Sequence, residues 1–392
     1  MPNDSAKLTL TLHPHIGAID AAAWDACAGE GNPFVSHAFL SAMEDSGSAG
    51  PRTGWLAQHA ALRDEAGTLV AVAPMYAKSH SYGEYVFDHG WADAFERAGG
   101  DYYPKLQVAA PFSPVPGPRL LCRPASGVSG EAISIEGFAS ALVQACRQLN
   151  LSSVHVTFCT EAEWEALGRA GWLLRLGTQF HWENAGYGSF DDFLGALSSR
   201  KRKVVRRERR DANACGLDFS ALTGADIKER HWDAFYRFYQ GTVDRKWGSA
   251  YLTREFFSLL SERLGDKVVL MLAEHGGKPV AGALNLAGAD TLYGRNWGCR
   301  GDWPFLHFGL CYYRAIDWAI ANGLKRVEAG AQGQHKIQRG YLPQATYSAH
   351  WIANAGLARA VKNFLAAERP EIRAHMAALA EQSPFRRVGD TD

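Results

Sequence analysis

Two stretches of the chain carry the same arrangement of apolar runs around a glycine turn. Trp55–Leu62 leads to Glu65-Ala66-Gly67 and then Thr68–Met75, while Val268–Glu274 leads to His275-Gly276-Gly277 and then Lys278–Asn285. Each reads as strand, turn, strand, with Val70-Ala71 and Val280-Ala281 equally placed after Gly67 and Gly277. A second correspondence follows. Ile135–Leu149 has helical apolar spacing and runs into Ser153–Phe158, and Phe305–Ala321 runs likewise into Lys325–Ala329. Hairpin, further strand, long helix and strand therefore occur twice in one order, which predicts a duplicated α/β unit of roughly 180 residues. Asn184–Ser189 reads as a loop and Phe190 opens a helix, so the expected division is 1–183 and 184–392.

Composition bounds the function classes. The 392 residues are enough for two cores, and 47% hydrophobic with 21% charged residues is ordinary for a globular chain. Lys+Arg and Asp+Glu both number 41, so only local clusters can steer a charged ligand. Seven cysteines are scattered and never spaced C-x-x-C, which argues against a disulfide framework and a structural zinc site. Met1–Leu12 lacks a signal-peptide core, and no apolar run approaches the ~20 residues of a membrane helix. The expected compartment is the cytoplasm, without a metal site and with reduced thiols.

The strongest local candidate for chemistry is Glu328–Lys336 with Arg339, which starts where a predicted strand ends. Ligands gather at strand ends in open α/β sheets. The Lys336 ammonium there suits a phosphate or a developing oxyanion, with His335 and Arg339 nearby. Glu328 and His335 are the local options for a proton acceptor, the alternatives being a Glu328 ion pair with Arg326 or Lys336 and proton transfer through the leaving ribose or a water. The alternative is a glycine turn with solvated basic residues. In Leu292–Arg300, alternation predicts Tyr293, Arg295 and Trp297 on one face, a cation between aromatics for a carboxylate or planar ligand, or else a packed strand. Eight cations fall between Arg200 and Arg210. Arg202, Lys203, Arg206, Arg207 and Arg210 are the candidates for phosphate or RNA contact, against the alternative of a solvated helix.

Several segments together carry a family resemblance: Phe39–Gly47, Tyr102–Phe112, Arg200–Arg209, Leu292–Arg295, Leu306–Phe308, Cys311–Tyr313, and Gly330–Gly333 with His335-Lys336. The sequence resembles the FemAB-like proteins of peptidoglycan biosynthesis or recognition, which are built from two GNAT acetyltransferase cores. The resemblance implies an α/β fold of two tandem GNAT-like units, mixed sheets flanked by helices. It implies acyl or aminoacyl transfer to an amine, with the lysine after the strand at the donor; Lys336 matches that lysine. It places the acceptor in part on the first half, which makes Tyr103, Lys105 and His89 candidates.

GNAT enzymes that use coenzyme A hold its pyrophosphate on [QR]-x-x-G-x-[GA] before the long helix. Here that place reads Arg300–Leu310 and is crowded by Trp303, Phe305 and Phe308, while Val115–Arg119 and Ser126–Gly130 match no better. FemAB-like proteins also lack this loop and take aminoacyl-tRNA, so the resemblance implies aminoacyl-tRNA as the favoured donor, with a small-molecule or peptide amine as acceptor and no metal or redox cofactor. A coenzyme A-dependent N-acetyltransferase is the second reading. A non-catalytic binding protein for an envelope precursor or RNA is the third. The family pattern also implies an acidic residue at Gly309, Tyr at Asn296 and Glu at Gln334, so this chain departs from it at three positions of the expected centre.

Overall fold

The computed structural model describes residues 8–124, 133–245, 250–330 and 333–386; Ser126–Gly130 and Ala331-Gln332 lie outside them. The chain forms two compact units, Met1–Gly177 with Ala345–Arg373, and Thr178–Gln344 with Ala374–Asp392. The units are thus not the two continuous stretches expected from a division at 183/184. Tyr347–Ile352, within the strand Leu342–Ile352, pairs antiparallel with Ser153–Cys159 and completes the first unit's sheet. Leu357, Val361 and Leu365 then bury against Trp91 and Tyr102. A pairing across nearly the whole chain has no local pattern to announce it.

In the first unit the predicted hairpin is bent. His59–Arg63 and Leu69–Ala73 pair in a sheet with Thr9–His13 and Leu121–Cys122. Trp55–Ala57 and Met75–Lys78 pair with each other, and Met75–Lys78 also pairs with Lys105–Val108. The break falls at Pro74, which has no N–H to donate and whose carbonyl accepts from Ala109 (3.0 Å). The helix Ile135–Gln148 lies where its spacing predicted. It buries Phe138, Leu142 and Cys146 against Leu106, Val108, Val154 and Val156.

In the second unit Asp218–Thr223, Val268–His275, Lys278–Ala287 and Thr291–Cys299 form an antiparallel run. Arg326–Glu328 joins parallel to Thr291–Tyr293, and His181–Glu183 closes antiparallel to it. The βαβ crossover between the parallel strands contains the predicted long helix, broken into Leu306–Phe308, a π turn Gly309–Tyr313 and Arg314–Ala321. Leu310, Tyr313, Ala315, Ile316 and Ala319 face a core shared with Val269, Met271, Leu292 and Val327.

The basic run is the helix Ser199–Asn213. Its inner edge is Val205, Glu208 and Ala212, while Val204 is exposed. Among the described residues no helix is long and apolar enough to cross a membrane.

Candidate active site

Four candidates of the second unit, Arg295, Trp297, His335 and Lys336, line one cavity, built where the strand Thr291–Cys299 changes phase. Asn285 stands opposite Gly294 and Leu284 opposite Asn296, so Arg295 is the extra residue of a β-bulge. The bulge undoes the simple alternation expected of Tyr293, Arg295 and Trp297. Gly294, Arg295, Asn296 and Trp297 all line the cavity, whereas Tyr293 is buried (6% exposed) away from it. The helix Glu229–Arg245 lies so close to this strand that a Cβ on Gly298 would stand 2.3 Å from the Phe238 carbonyl oxygen. That approach brings Tyr239, Thr242 and Val243 to the cavity wall.

The cavity measures about 580 Å³, the size of a small-molecule site. Its lining includes the cations Arg295 and Lys336 and the imidazoles of His307 and His335, and among the described residues no carboxylate. Lys336 is 2% exposed and sits on the 3-10 turn Gln334–Arg339. Its ammonium donates to the carbonyls of Ala329 (2.6 Å) and Gly330 (2.8 Å), just beyond the strand Arg326–Glu328. No carboxylate lies within ion-pair distance of it among the described residues. Burial therefore lowers its pKa to about 8, only partly offset by the Cys311 thiol.

His335 shares a hydrogen bond with the Tyr312 hydroxyl (3.0 Å from Nε2) and lies against the Phe308 ring. Burial, then the charges of Arg339 and Lys336, lower its pKa, which keeps the imidazole neutral at pH 7. Gly333 has φ +112°, and a Cβ there would lie 2.5 Å from the His335 ring, so glycine is required for the turn.

Two expected members of the site do other work. Arg339 is held bidentate by Glu208 of the basic helix (Nη2 2.8 Å, Nε 3.1 Å), donates to the His335 carbonyl (2.7 Å) and lies 3.4 Å over the Phe308 ring. The Tyr313 hydroxyl donates to the same carboxylate. Arg339 thus braces the turn that carries Lys336 and does not line the cavity. Glu328 is buried 3.9 Å from His181 Nδ1 and is also absent from the lining.

Asn285, Cys311 and Tyr312 line the cavity but were not singled out from the sequence as site residues. Asn285 is fixed by the carbonyls of Val269 (3.3 Å) and Ala283 (3.2 Å) at the bulge. Cys311 and Tyr312 reach the cavity from the π turn, a feature common at functional sites that periodicity cannot show. Burial raises the Cys311 thiol pKa far above its ordinary value, so it is not a ready nucleophile.

On the basic helix, Arg200, Lys203, Arg206, Arg207 and Arg210 are exposed. Positions 200, 203, 207 and 210 form one helical stripe. Arg210 pairs with Asp211 (3.0 Å) and Arg209 with Asp317 (2.7 Å), while Arg200, Lys203, Arg206 and Arg207 form no ion pair among the described residues. Arg202 is half-buried, with Nη2 donating to the Leu197 carbonyl (3.3 Å). The Lys201 ammonium donates to the Gln338 side chain, a second tie between this helix and the Lys336 turn.

The first-unit candidates gather elsewhere. Lys105 is fully buried and donates to Ser81 (2.8 Å), Glu84 (2.8 Å) and Asp88 (2.5 Å), so it cannot present its ammonium to an acceptor. The Tyr103 hydroxyl shares a hydrogen bond with Ser81 (2.8 Å), and His89 opens the helix His89–Arg97. Burial raises the Glu84 pKa to about 7 with Lys105 offsetting part; for Asp88, burial is overcome by Lys105, which holds that carboxyl below its usual range. Among the described residues no group of three or more His, Cys, Asp or Glu is placed to hold a metal ion.

Comparison with known proteins agrees with this architecture. FemX matches with a TM-score of 0.54 at 10% identity, covering 88% of this chain and 98% of its own. The C-terminal domain of a lysylphosphatidylglycerol synthetase from Agrobacterium fabrum matches with TM-score 0.53 at 11% identity, covering 89% and 96%. L-PGS from Bacillus licheniformis matches with TM-score 0.51 at 10% identity, covering 91% and 98%. At these identities the likeness shows the fold alone, that of two α/β units in tandem with mixed sheets flanked by helices. No curated protein matches the sequence. The family described as FemAB-like, peptidoglycan biosynthesis/recognition, matches residues 15–387, and the chain belongs to it.

Proposed function

We propose that this protein is an acyltransferase that moves an acyl or aminoacyl group from an activated ester to an amine, with the reaction centred on the Lys336 cavity. The observation that carries this reading is a buried ammonium, held by two backbone carbonyls, in a cavity lined by no carboxylate among the described residues. A lysine ammonium has three N–H donors. Two are engaged among the described residues, which leaves one for the oxygen on which charge develops when the amine attacks the donor carbonyl. The neutral His335 takes the proton released by the attacking nitrogen and returns it to the departing oxygen. One C–N bond forms and one C–O bond breaks.

Aminoacyl-tRNA is the donor this reading favours. The exposed stripe of the basic helix supplies phosphate contacts, and Glu208 and Lys201 of the same helix hold the turn that carries Lys336. The place where coenzyme A enzymes hold pyrophosphate is aromatic here: Phe305 caps a three-residue helix with φ +54°, and Phe308 stacks on Tyr312. Membership of the family points to an amine of an envelope precursor as acceptor.

Donor binding over a salt series tests the choice. Mixed aminoacyl-tRNA is expected to bind with a steep dependence on salt, and Arg206→Ala with Arg207→Ala should lower the log–log slope by about one to two. Binding of acetyl-coenzyme A with no binding of tRNA would overturn the donor assignment.

A further inference from the structure

Large aromatic side chains are normally drawn into the core, because each buries 150–250 Å². Among the described residues the exposed aromatics of this class are Tyr82 (70%), Phe87 (63%) and Phe364 (48%), and all three belong to one band on the first unit. The Tyr82 ring lies 5.7 Å from His89, and His89 is stacked on Phe87 at 6.3 Å with 29° between the planes. The His80 ring lies 5.1 Å from Tyr82. Arg175 continues the band, donating to the Phe87 carbonyl (2.7 Å) and lying over the rings of Trp91 (5.1 Å) and Phe364 (6.0 Å).

The band is held in place from beneath. Lys105 ties Ser81, Glu84 and Asp88 to one buried ammonium, and Lys78 donates to the Tyr82 carbonyl (3.2 Å). Four anchors within eight residues keep the loop from folding its rings inward, so a ligand meets a surface ordered in advance. The ion pairs that the acyl-transfer reading leaves unused are the foundation of this surface.

We propose that Tyr82, His89, Phe87 and Phe364 form a binding platform for the faces of uncharged sugar rings, a function beyond the acyl transfer assigned to the second unit. The axial C–H groups of a pyranose present a weakly positive face to the negative face of an aromatic ring. Its equatorial hydroxyls need donors and acceptors at the ring edges. The Tyr82 hydroxyl and the His89 imidazole make no hydrogen bond to another described residue, so both are open to such contacts. Charge separates this ligand from the others that stack on aromatics. Arg175 is neutralised by Glu368 (2.7 and 2.9 Å), and Lys78 and Lys105 are buried, so none of these three is left for the phosphates of a nucleotide or lipid headgroup. Unlike the hydrophobic centre of a protein interface, the band contains no exposed Leu, Ile, Val or Met.

Saturation-transfer difference NMR on the full chain tests the platform, with the N-acetylglucosamine trisaccharide as probe. Uridine diphosphate and phosphatidylglycerol vesicles are the competing ligands. The expected result is saturation of sugar-ring protons, weakened roughly threefold to tenfold by Tyr82→Ala or Phe87→Ala and abolished in the double variant. Leu56→Ala, at an exposed apolar residue outside the band, is expected to leave binding unchanged. Both band residues are largely exposed, so their variants fold. Failure of the sugar to bind at millimolar concentration would overturn the proposal. So would binding that persists in the double variant, or nucleotide or vesicle binding that the double variant removes.

Discussion

The first unit buries Lys78 and Lys105 and the second buries Lys336; Lys105 and Lys336 have opposite surroundings. Lys105 is clamped by Glu84 and Asp88, and the neighbouring carboxylates raise its pKa against the effect of burial. Lys336 has only two backbone carbonyls, faces a cavity, and has its pKa lowered to about 8 by burial. A buried cation with its counter-charges in place is a structural fastening. One held without a carboxylate is costly to the fold and is retained where its charge acts on something that arrives later. The difference teaches that burial alone does not mark a candidate catalytic lysine. Lys336 combines burial without a carboxylate partner with a cavity beside it, whereas Lys78, also buried without an ion pair among the described residues, lies 4.0 Å over the Trp55 ring and donates to the Tyr82 carbonyl. Sequence reasoning placed Lys105 and Lys336 among the site residues, and only geometry separates them.

Variants sharpen this contrast, beginning with the largest effect on stability. Lys105→Met leaves two carboxylates facing each other without their cation, and should destabilise the protein by about 3–5 kcal/mol in chemical denaturation. A change below about 1 kcal/mol would remove the distinction drawn between the lysines. Glu208→Gln leaves the Arg339 guanidinium buried with a weaker acceptor, at a cost of about 2–3 kcal/mol. Its signature in the second unit would be a loosened Lys336 turn, read as faster hydrogen exchange in Gln334–Tyr341.

Lys336→Met should act in the other direction. Because the folded pKa of Lys336 lies below its ordinary 10.5, protonation opposes folding; the penalty is complete below pH 8 and vanishes as pH rises toward 10.5. The variant is therefore expected to be more stable than the natural chain by about 1–3 kcal/mol at pH 7, with the gap closing between pH 8 and 10.5. A variant less stable at pH 7, or a gap independent of pH, would show Lys336 to be an ordinary structural residue.

Much of the fold was legible because it is locally periodic. The turns at Gly67 and Gly277, the helix Ile135–Gln148 and the strand Ser153–Cys159 lie close to where spacing put them. The return of Tyr347–Ile352 to the first unit was not legible, since its partner strand is distant in sequence. At the site, Lys336 and His335 could be found from their place after a strand. The loss of Tyr293 to the core and the capture of Arg339 by Glu208 could not. The first follows from one extra residue in a strand, and the second from a carboxylate that reads as a minor interruption in a basic run.

The account rests on Lys336 as the group that stabilises charge during transfer, and a single-turnover experiment reaches it most directly. Mixed aminoacyl-tRNA would be incubated with the protein and a panel of amines, following loss of the ester and appearance of the amide in the natural chain, Lys336→Met and Lys105→Arg. Transfer slowed by about 10²–10³-fold in Lys336→Met, in a protein at least as stable as the natural one, is the predicted result. Transfer at an undiminished rate in Lys336→Met would contradict the account and move the reacting centre away from this cavity.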